Sequence, residues 1–158
     1  MQYLIGNGID THQLEEGVPL VIGGVSIPYF KGSKGHSDGD VLFHAIVDAI
    51  LGSLALGNIG KHFPSDNPSW KDVESRIFLE YSYKLMDEKG YSVENIDATI
   101  ILENPVLNPH ILQMRGNIAT ILSTDLNQIS VKATTTDKLG FIGKGEGLSA
   151  TVSMLIKK

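Results

Sequence analysis

The sequence predicts a two-layer α/β (α+β) domain: a four-stranded mixed sheet with helices packed on one face, plus a small hairpin. Three observations predict it. Segments with apolar residues at every second position alternate with segments of period near 3.6, in mixed order. No linker, repeat or low-complexity tract divides the chain. A length of 158 residues suits one hydrophobic core, so residues 1–158 read as a single domain.

Taken in order, Tyr3 to His12 is apolar and glycine-containing and reads as a strand. Leu20–Ile22 and Val25–Ile27 flank Gly23-Gly24, a two-residue hairpin signal. Lys31 to Gly39 is a polar, glycine-rich loop, and Val41 to Leu56 a mostly buried helix closed by Gly57. Asn58 to Lys71 carries Gly60, Pro64 and Pro68 and reads as a long loop, a length often put to functional use. Ser69 and Asp72 form a candidate capping box for a helix with Val73, Ile77, Tyr81 and Leu85 on one face and Gly90 as its stop. Ile96 to Leu102 alternates as a strand does. Pro109 opens a third helix with Ile111, Met114, Ile118 and Leu122 on one face. Strands around Ile129–Thr135 and Leu148–Ile156, joined by a glycine-rich loop, complete the sheet.

Composition narrows the function. The chain is 42% hydrophobic and 20% charged, as expected for a soluble globular protein. A formal net charge of −5 argues against nucleic acid as a partner, because backbone phosphates need a basic face. A phosphorylated ligand then requires local positive charge from a metal, a few Lys or His, or a helix N-terminus. With no cysteine, any metal must take nitrogen and oxygen ligands. The N-terminus does not read as a signal peptide, and the most apolar run, Val41 to Leu56, is too short and too interrupted to span a bilayer. A cytoplasmic enzyme, with no membrane partner, is the expectation.

The chemistry-bearing residues lie in a few blocks. Asp10 and His12, two apart on a strand, point the same way. Alone, such a pair more commonly ends a strand in a turn. His44 sits among Phe43, Ala45 and Ile46 and alone reads as a core histidine; Asp40 and Asp48, four residues away on either side, are candidate orienting carboxylates. Together Asp10, His12 and His44 form a two-His, one-carboxylate set of the kind that binds zinc and leaves a coordination position open. His36 and Ser37 precede the helix carrying His44, where free N–H groups favour an anion, although Ser37 also reads as a plain N-cap. Thr134-Thr135-Thr136 offers hydroxyls to phosphate or simply ends a strand. Gly143 to Gly147 lacks the spacing of a phosphate-binding loop.

Several blocks resemble the 2-C-methyl-D-erythritol 2,4-cyclodiphosphate synthase family. They are Gly8-Ile9-Asp10-Thr11-His12, Ile22-Gly23-Gly24-Val25, Ile27-Pro28-Tyr29, and His36-Ser37-Asp38-Gly39-Asp40-Val41 with His44-Ala45. Gly60-Lys61 with Phe63-Pro64, and Val131 through Phe141, continue the match in the same order along the chain. The resemblance implies closure of 4-diphosphocytidyl-2-C-methyl-D-erythritol 2-phosphate to a cyclic diphosphate with release of CMP, a lyase step of non-mevalonate isoprenoid biosynthesis. It implies that Asp10, His12 and His44 bind Zn2+ or a similar divalent ion, and that His36 and Thr135 stabilise the transition state. Ser37 would bind phosphate, and Asp137 would bind a second metal, Mg2+ or Mn2+. Asn58, Ile59 and Gly60 with Phe63, Pro64, Ser65, Asp66 and Asn67 would form the substrate loop. Leu102 to Asn108, including Pro105 and Leu107, with Thr134 and Thr135, would form the cytidine pocket, and Thr136 would be a further substrate contact.

The family implies a homotrimer with active sites between subunits, and in some members an isoprenoid diphosphate on the threefold axis near Phe141 and Lys144. Asp137 stands where many members have Glu, Val106 where many have Lys, and Lys144 where Arg is frequent. A zinc-dependent phosphoester hydrolase and a non-catalytic trimer binding isoprenoid diphosphates are the alternatives, and both leave the ordered blocks unexplained.

Overall fold

The computed structural model describes residues 1–158. Its main sheet is built from β1 (Tyr3–Glu16), β4 (Lys31–Ser33), β5 (Ser92–Ile101), β6 (Ile129–Thr134) and β7 (Gly147–Lys157), in the order β4-β1-β7-β5-β6. All neighbours are antiparallel except β5 and β6. The mixed α/β character is as expected, but the sheet has five strands rather than four. β1 runs on to Glu16, and its last residues, Leu14 to Glu16, pair with Ser33 to Lys31, a segment whose polarity reads as loop. An edge strand three residues long is fixed by backbone bonding and shows no alternation to detect. The hairpin of β2 (Leu20–Ile22) and β3 (Val25–Ile27) is present, with Gly23 and Gly24 at φ 59° and 71° as a tight turn demands.

Helix α1 (Val41–Ser53) lies across β1 and β7 and is buried along almost its whole length. It approaches β1 so closely that a Cβ on Gly6 would sit 2.0 Å from the Ala49 carbonyl oxygen, and one on Gly8 1.8 Å from that of Ala45. The two glycines therefore let the helix backbone rest on the strand. The helix stops at Leu54, and Ala55, at φ 56°, turns the chain before Gly57 is reached.

The expected long loop contains a short helix α2 (Ile59–His62) and a 3-10 turn, Pro68–Trp70. Helix α3 (Ser75–Glu88) begins later than the proposed capping box. Ser69 lies in the 3-10 turn and Asp72 adopts φ 59°. Distant groups take over the capping role, as the Asp72 N–H donates to the His36 carbonyl and the Ser75 N–H to the Asp38 carboxylate. The buried face of α3 also differs from the expected one. Ser75, Phe78, Leu79, Ser82 and Met86 are buried, whereas Ile77 and Tyr81 are 47% and 41% exposed. Two apolar stripes compete on this helix, and the one carrying small serines packs closer to α1.

Helix α4 (Ile111–Ile121) buries Met114 and Ile118 as its period requires, and Leu122, its C-cap, is buried as well. The glycine-rich loop contains α5 (Gly140–Gly143). The core joins the inner face of the sheet to α1, α3 and α4. The opposite face of β1 is bare, with Ile5 and Ile9 78% and 64% exposed. No helix is long and apolar enough to cross a membrane.

Candidate active site

Asp10 and His12 project from the helix-facing side of β1, and His44 descends from α1 onto them. The Asp10 Oδ2 lies 2.8 Å from His12 Nε2 and 3.1 Å from His44 Nδ1. The two ring nitrogens are 3.2 Å apart. The remaining bonds of the rings decide which nitrogens carry protons. His12 Nδ1 faces the Lys34 carbonyl oxygen at 3.0 Å and so donates to it. His44 Nε2 donates to Ser75 Oγ at 2.7 Å, because the Ser75 hydroxyl gives its own proton to Asp38. His12 Nε2 and His44 Nδ1 are then both lone-pair sites, aimed at each other and at a carboxylate.

Three facing acceptors repel one another unless a cation lies among them, and this chemistry fits a divalent metal. A tetrahedral zinc ion with bonds of about 2.05 Å holds neighbouring ligand atoms roughly 3.3 Å apart, close to the triangle seen here. Asp10, His12 and His44 thus form a group able to hold a divalent metal ion.

The electrostatics point the same way. Burial raises the Asp10 carboxyl, but hydrogen bonds and charge from His12 and His44 outweigh it and bring the pKa down to about 2. Burial lowers His12, and its bond to Asp10 outweighs that, so His12 holds a proton more tightly than an ordinary histidine. A site without a metal recruits a proton in its place.

The triad opens into a cleft of about 220 Å³ lined by His12, His36, Ser37, His44, Ile59, Gly60, Phe63, Ser65, Trp70 and Phe78. Phe63 packs on Phe78 with centroids 4.4 Å apart and edge-on to Trp70 at 5.1 Å, giving one wall an apolar lining. His36 Nε2 donates to the Asn67 carbonyl at 3.3 Å, tying the floor of the cleft to the loop. Asn58 caps α2 by accepting the Lys61 N–H at 3.1 Å. Pro64 is half-buried and Asp66 exposed, and neither lines the cleft.

A second cleft, of about 160 Å³, is lined by Leu102, Glu103, Pro105, Val106, Leu107, Asn108, Ala133, Thr134 and Thr135. Register places it: Thr11 pairs with Ser149, Ser149 with Ile101, and Ile101 with Thr134. Thr11 and Thr134 are thus three strand spacings, about 14 Å, apart along the sheet, and the two clefts open at the same end of it.

Comparison with known proteins decides the family. Residues 3–157 match the YgbB family. A 2-C-methyl-D-erythritol 2,4-cyclodiphosphate synthase from Chlorobium phaeobacteroides is 54% identical over 154 residues, covering 98% of this chain and 97% of the relative. The chain belongs to the YgbB family. Among solved structures, a bifunctional IspDF from Campylobacter jejuni superposes with a TM-score of 0.95 at 42% identity. It covers 99% of this chain, which spans only 42% of that longer protein. The Plasmodium falciparum IspF in complex with CDP superposes with a TM-score of 0.86 at 36% identity, covering 98% of this chain and 95% of that one.

Within this YgbB-family chain the expected residues fall into three groups. Asp10, His12 and His44 converge, with His36, Ser37, Ile59, Gly60, Phe63 and Ser65 around the same cleft. Leu102, Pro105, Leu107, Thr134 and Thr135 gather at the second cleft, so His36 and Thr135 of one chain do not meet. Thr136, Asp137, Phe141 and Lys144 line neither cleft. Thr136 donates to the Leu139 carbonyl, while Asp137 is exposed with its N–H donating to Thr135. Phe141 is on α5 and Lys144 at its end.

Two expected orienting carboxylates do other work. Asp40, fully buried, accepts N–H groups from Gly23, Gly24 and Phe43, joining the hairpin turn to the start of α1. Burial raises its pKa to about 6. Asp48 accepts the Ile59 N–H at 2.7 Å and so fixes the start of α2 instead. The groups that contact the far nitrogens, Ser75 and the Lys34 carbonyl, escaped sequence reading. A carbonyl leaves no trace in side-chain pattern, and Ser75 lies 31 residues from His44.

Proposed function

We propose that this chain converts 4-diphosphocytidyl-2-C-methyl-D-erythritol 2-phosphate to 2-C-methyl-D-erythritol 2,4-cyclodiphosphate and CMP, as a phosphorus–oxygen lyase of non-mevalonate isoprenoid biosynthesis. The observation that carries this reading is the triangle of Asp10, His12 and His44 opening into a cleft shared with His36 and Ser37, inside a chain 54% identical to a named synthase.

In this reaction the 2-phosphate oxygen of the substrate forms a bond to the β-phosphorus, and the bond from that phosphorus to the CMP oxygen breaks. CMP leaves with the electron pair. The nucleophile belongs to the substrate, so the protein supplies position and charge complementarity. Zinc held by Asp10, His12 and His44 would supply positive charge for the diphosphate oxygens. Ser37 donates to a phosphate oxygen, and His36 and Thr135 donate where charge develops. Asn58, Ile59, Gly60, Phe63, Pro64, Ser65, Asp66 and Asn67 hold the erythritol portion. Leu102, Pro105, Leu107, Thr134 and Thr135 hold the cytidine, in line with the CDP named for the Plasmodium falciparum structure. Asp137 would hold Mg2+ or Mn2+, which would supply further positive charge.

The working unit in this reading is a cytoplasmic homotrimer of single-domain chains, residues 1–158 in each. Two observations support it. Bare apolar side chains of β1, Ile5 and Ile9, need a partner surface, and His36 and Thr135 of one chain sit in different clefts. One chain then provides the metal cleft and its neighbour the nucleotide cleft. Phe141 and Lys144 would lie near the threefold axis, where an isoprenoid diphosphate can bind.

The test is an assay of the purified protein with zinc and magnesium. CMP is expected to appear in equal amount to cyclic diphosphate, with no solvent oxygen-18 in the product. Linear phosphate products, or oxygen-18 incorporation, would show a hydrolase instead.

A further inference from the structure

The geometry points to Ser75 and Asp38 as positioning residues that hold His44 in its metal-binding form, a role that rests on the metal reading above. An imidazole offers either nitrogen to a ligand, and the proton on one decides the availability of the other. For His44 the ligating atom is Nδ1, so Nε2 must keep the proton and needs an acceptor. Ser75 Oγ stands 2.7 Å away.

A free hydroxyl would be ambiguous, because it can turn and donate to a bare nitrogen. This one is committed. Its proton goes to Asp38 Oδ1, while Asp38 Oδ2 accepts the Ser75 N–H at 3.1 Å and Oδ1 also accepts the Asp40 N–H at 3.1 Å. Three donors thus converge on one carboxylate, which cannot return a proton. The direction of the chain is set from Asp38: the carboxylate fixes the hydroxyl, and the hydroxyl fixes the imidazole. Ser75 is fully buried and His44 nearly so, and burial makes an unmatched proton on either partner costly.

The same arrangement releases Ser37. Its Oγ lies 3.2 Å from His44 Nε2 and competes for the single ring proton there. Ser75, nearer by half an ångström, takes that proton, so the Ser37 oxygen accepts the Gly39 N–H at 3.3 Å and its own proton is shared between Ser75 Oγ, 3.4 Å away, and the cleft. The contrast with His12 shows why Ser75 is the informative position. The acceptor for His12 is the Lys34 carbonyl, which no substitution removes, whereas the acceptor for His44 is a side chain.

The experiment measures zinc affinity by chelator competition on metal-stripped full-length protein, for wild type, Ser75→Ala and Asp38→Asn, with thermal unfolding of each stripped protein beside it. Both variants are expected to bind zinc roughly 10- to 100-fold more weakly. The cobalt-substituted forms should show a changed visible absorption spectrum. A role confined to packing would lower the unfolding midpoint of the stripped protein and leave zinc affinity alone. Zinc affinity of Ser75→Ala within about twofold of wild type would overturn the proposal, since loss of such a partner ordinarily costs far more. If Ser75→Ala does not fold, Asp38→Asn is read against the same limits. A wild-type protein that binds no zinc would sink the metal reading and this proposal with it, whereas unchanged affinity in Ser75→Ala would sink this proposal alone.

Discussion

The metal cleft and the second cleft open at one end of the same sheet, yet they are held together in different ways. In the first, both histidines are gripped at both nitrogens: His12 between Asp10 and the Lys34 carbonyl, His44 between Asp10 and Ser75. Around the second, the threonine side chains bond only within their own loop, and Glu103 reaches across to accept the Lys138 N–H at 3.4 Å. Thr134 donates to the Thr135 carbonyl, Thr135 accepts the Asp137 N–H, and Thr136 donates to the Leu139 carbonyl. The first cleft is thus preorganised by one chain, whereas the second presents exposed groups still free to meet a ligand or a neighbouring chain. Substitutions in the two clefts should therefore fail in different ways.

The largest effect is expected from His44→Ala. It removes one of three ligands, and turnover should fall by about 10³-fold or more, a loss of several kcal/mol of charge stabilisation. Metal analysis should find the zinc gone, while CDP binding, measured by calorimetry, survives because the second cleft is untouched. Loss of both together would break the separation of the two clefts.

Gly8→Ala attacks the first cleft from behind. Its Cβ would fall 1.8 Å from the Ala45 carbonyl oxygen, so α1 must lift from β1 and carry His44 with it. Overpacking of this kind costs about 3 kcal/mol, readable in urea unfolding, and zinc affinity should fall in parallel. Unchanged stability would mean that α1 and β1 are further apart than the structure places them.

Legibility in the sequence followed the same division. Asp10, His12 and His44 could be grouped because ligand chemistry restricts residue type so tightly, even across 34 positions. The hairpin at Gly23-Gly24 was legible because φ above zero restricts the residue. What stayed hidden was set by long-range backbone bonding: the short strand β4, the late start of α3, and the carbonyl that orients His12. The buried face of α3 was misread because Ile77 and Tyr81 fit the helical period as well as Phe78 and Ser82 do. Periodicity finds a helix but cannot choose between two stripes that both contain apolar residues.

Thr135→Ala probes the second cleft. Losing one donor to developing charge typically costs about 10²-fold in turnover, or near 3 kcal/mol. Zinc affinity and thermal stability should stay at wild-type values, since the Thr135 side chain is exposed and accepts only the Asp137 N–H. A fall in zinc affinity would mean that the two clefts are coupled within a chain.

The smallest effect, and the one that separates proton from metal at the triad, is the pH dependence of stability. In the metal-free protein His12 is raised above its ordinary 6.5, burial opposing and the Asp10 bond prevailing. A histidine raised on folding contributes stability that is full below pH 6.5 and is lost as pH rises through the folded value. Asp10, lowered to about 2, stays ionised throughout that window and adds no slope there. Asp40, raised to about 6 by burial, contributes stability present below 3.8 and lost as pH rises through 6, a decline nearly complete before that of His12. The stripped protein should therefore melt at a lower temperature at about pH 8 than at about pH 6. Zinc reverses the sign, because the proton that His12 holds toward Asp10 must leave before the ion enters. The midpoint gap between zinc-loaded and stripped protein should widen across that interval. A constant gap would mean that the ion and the proton do not compete for the space between Asp10, His12 and His44.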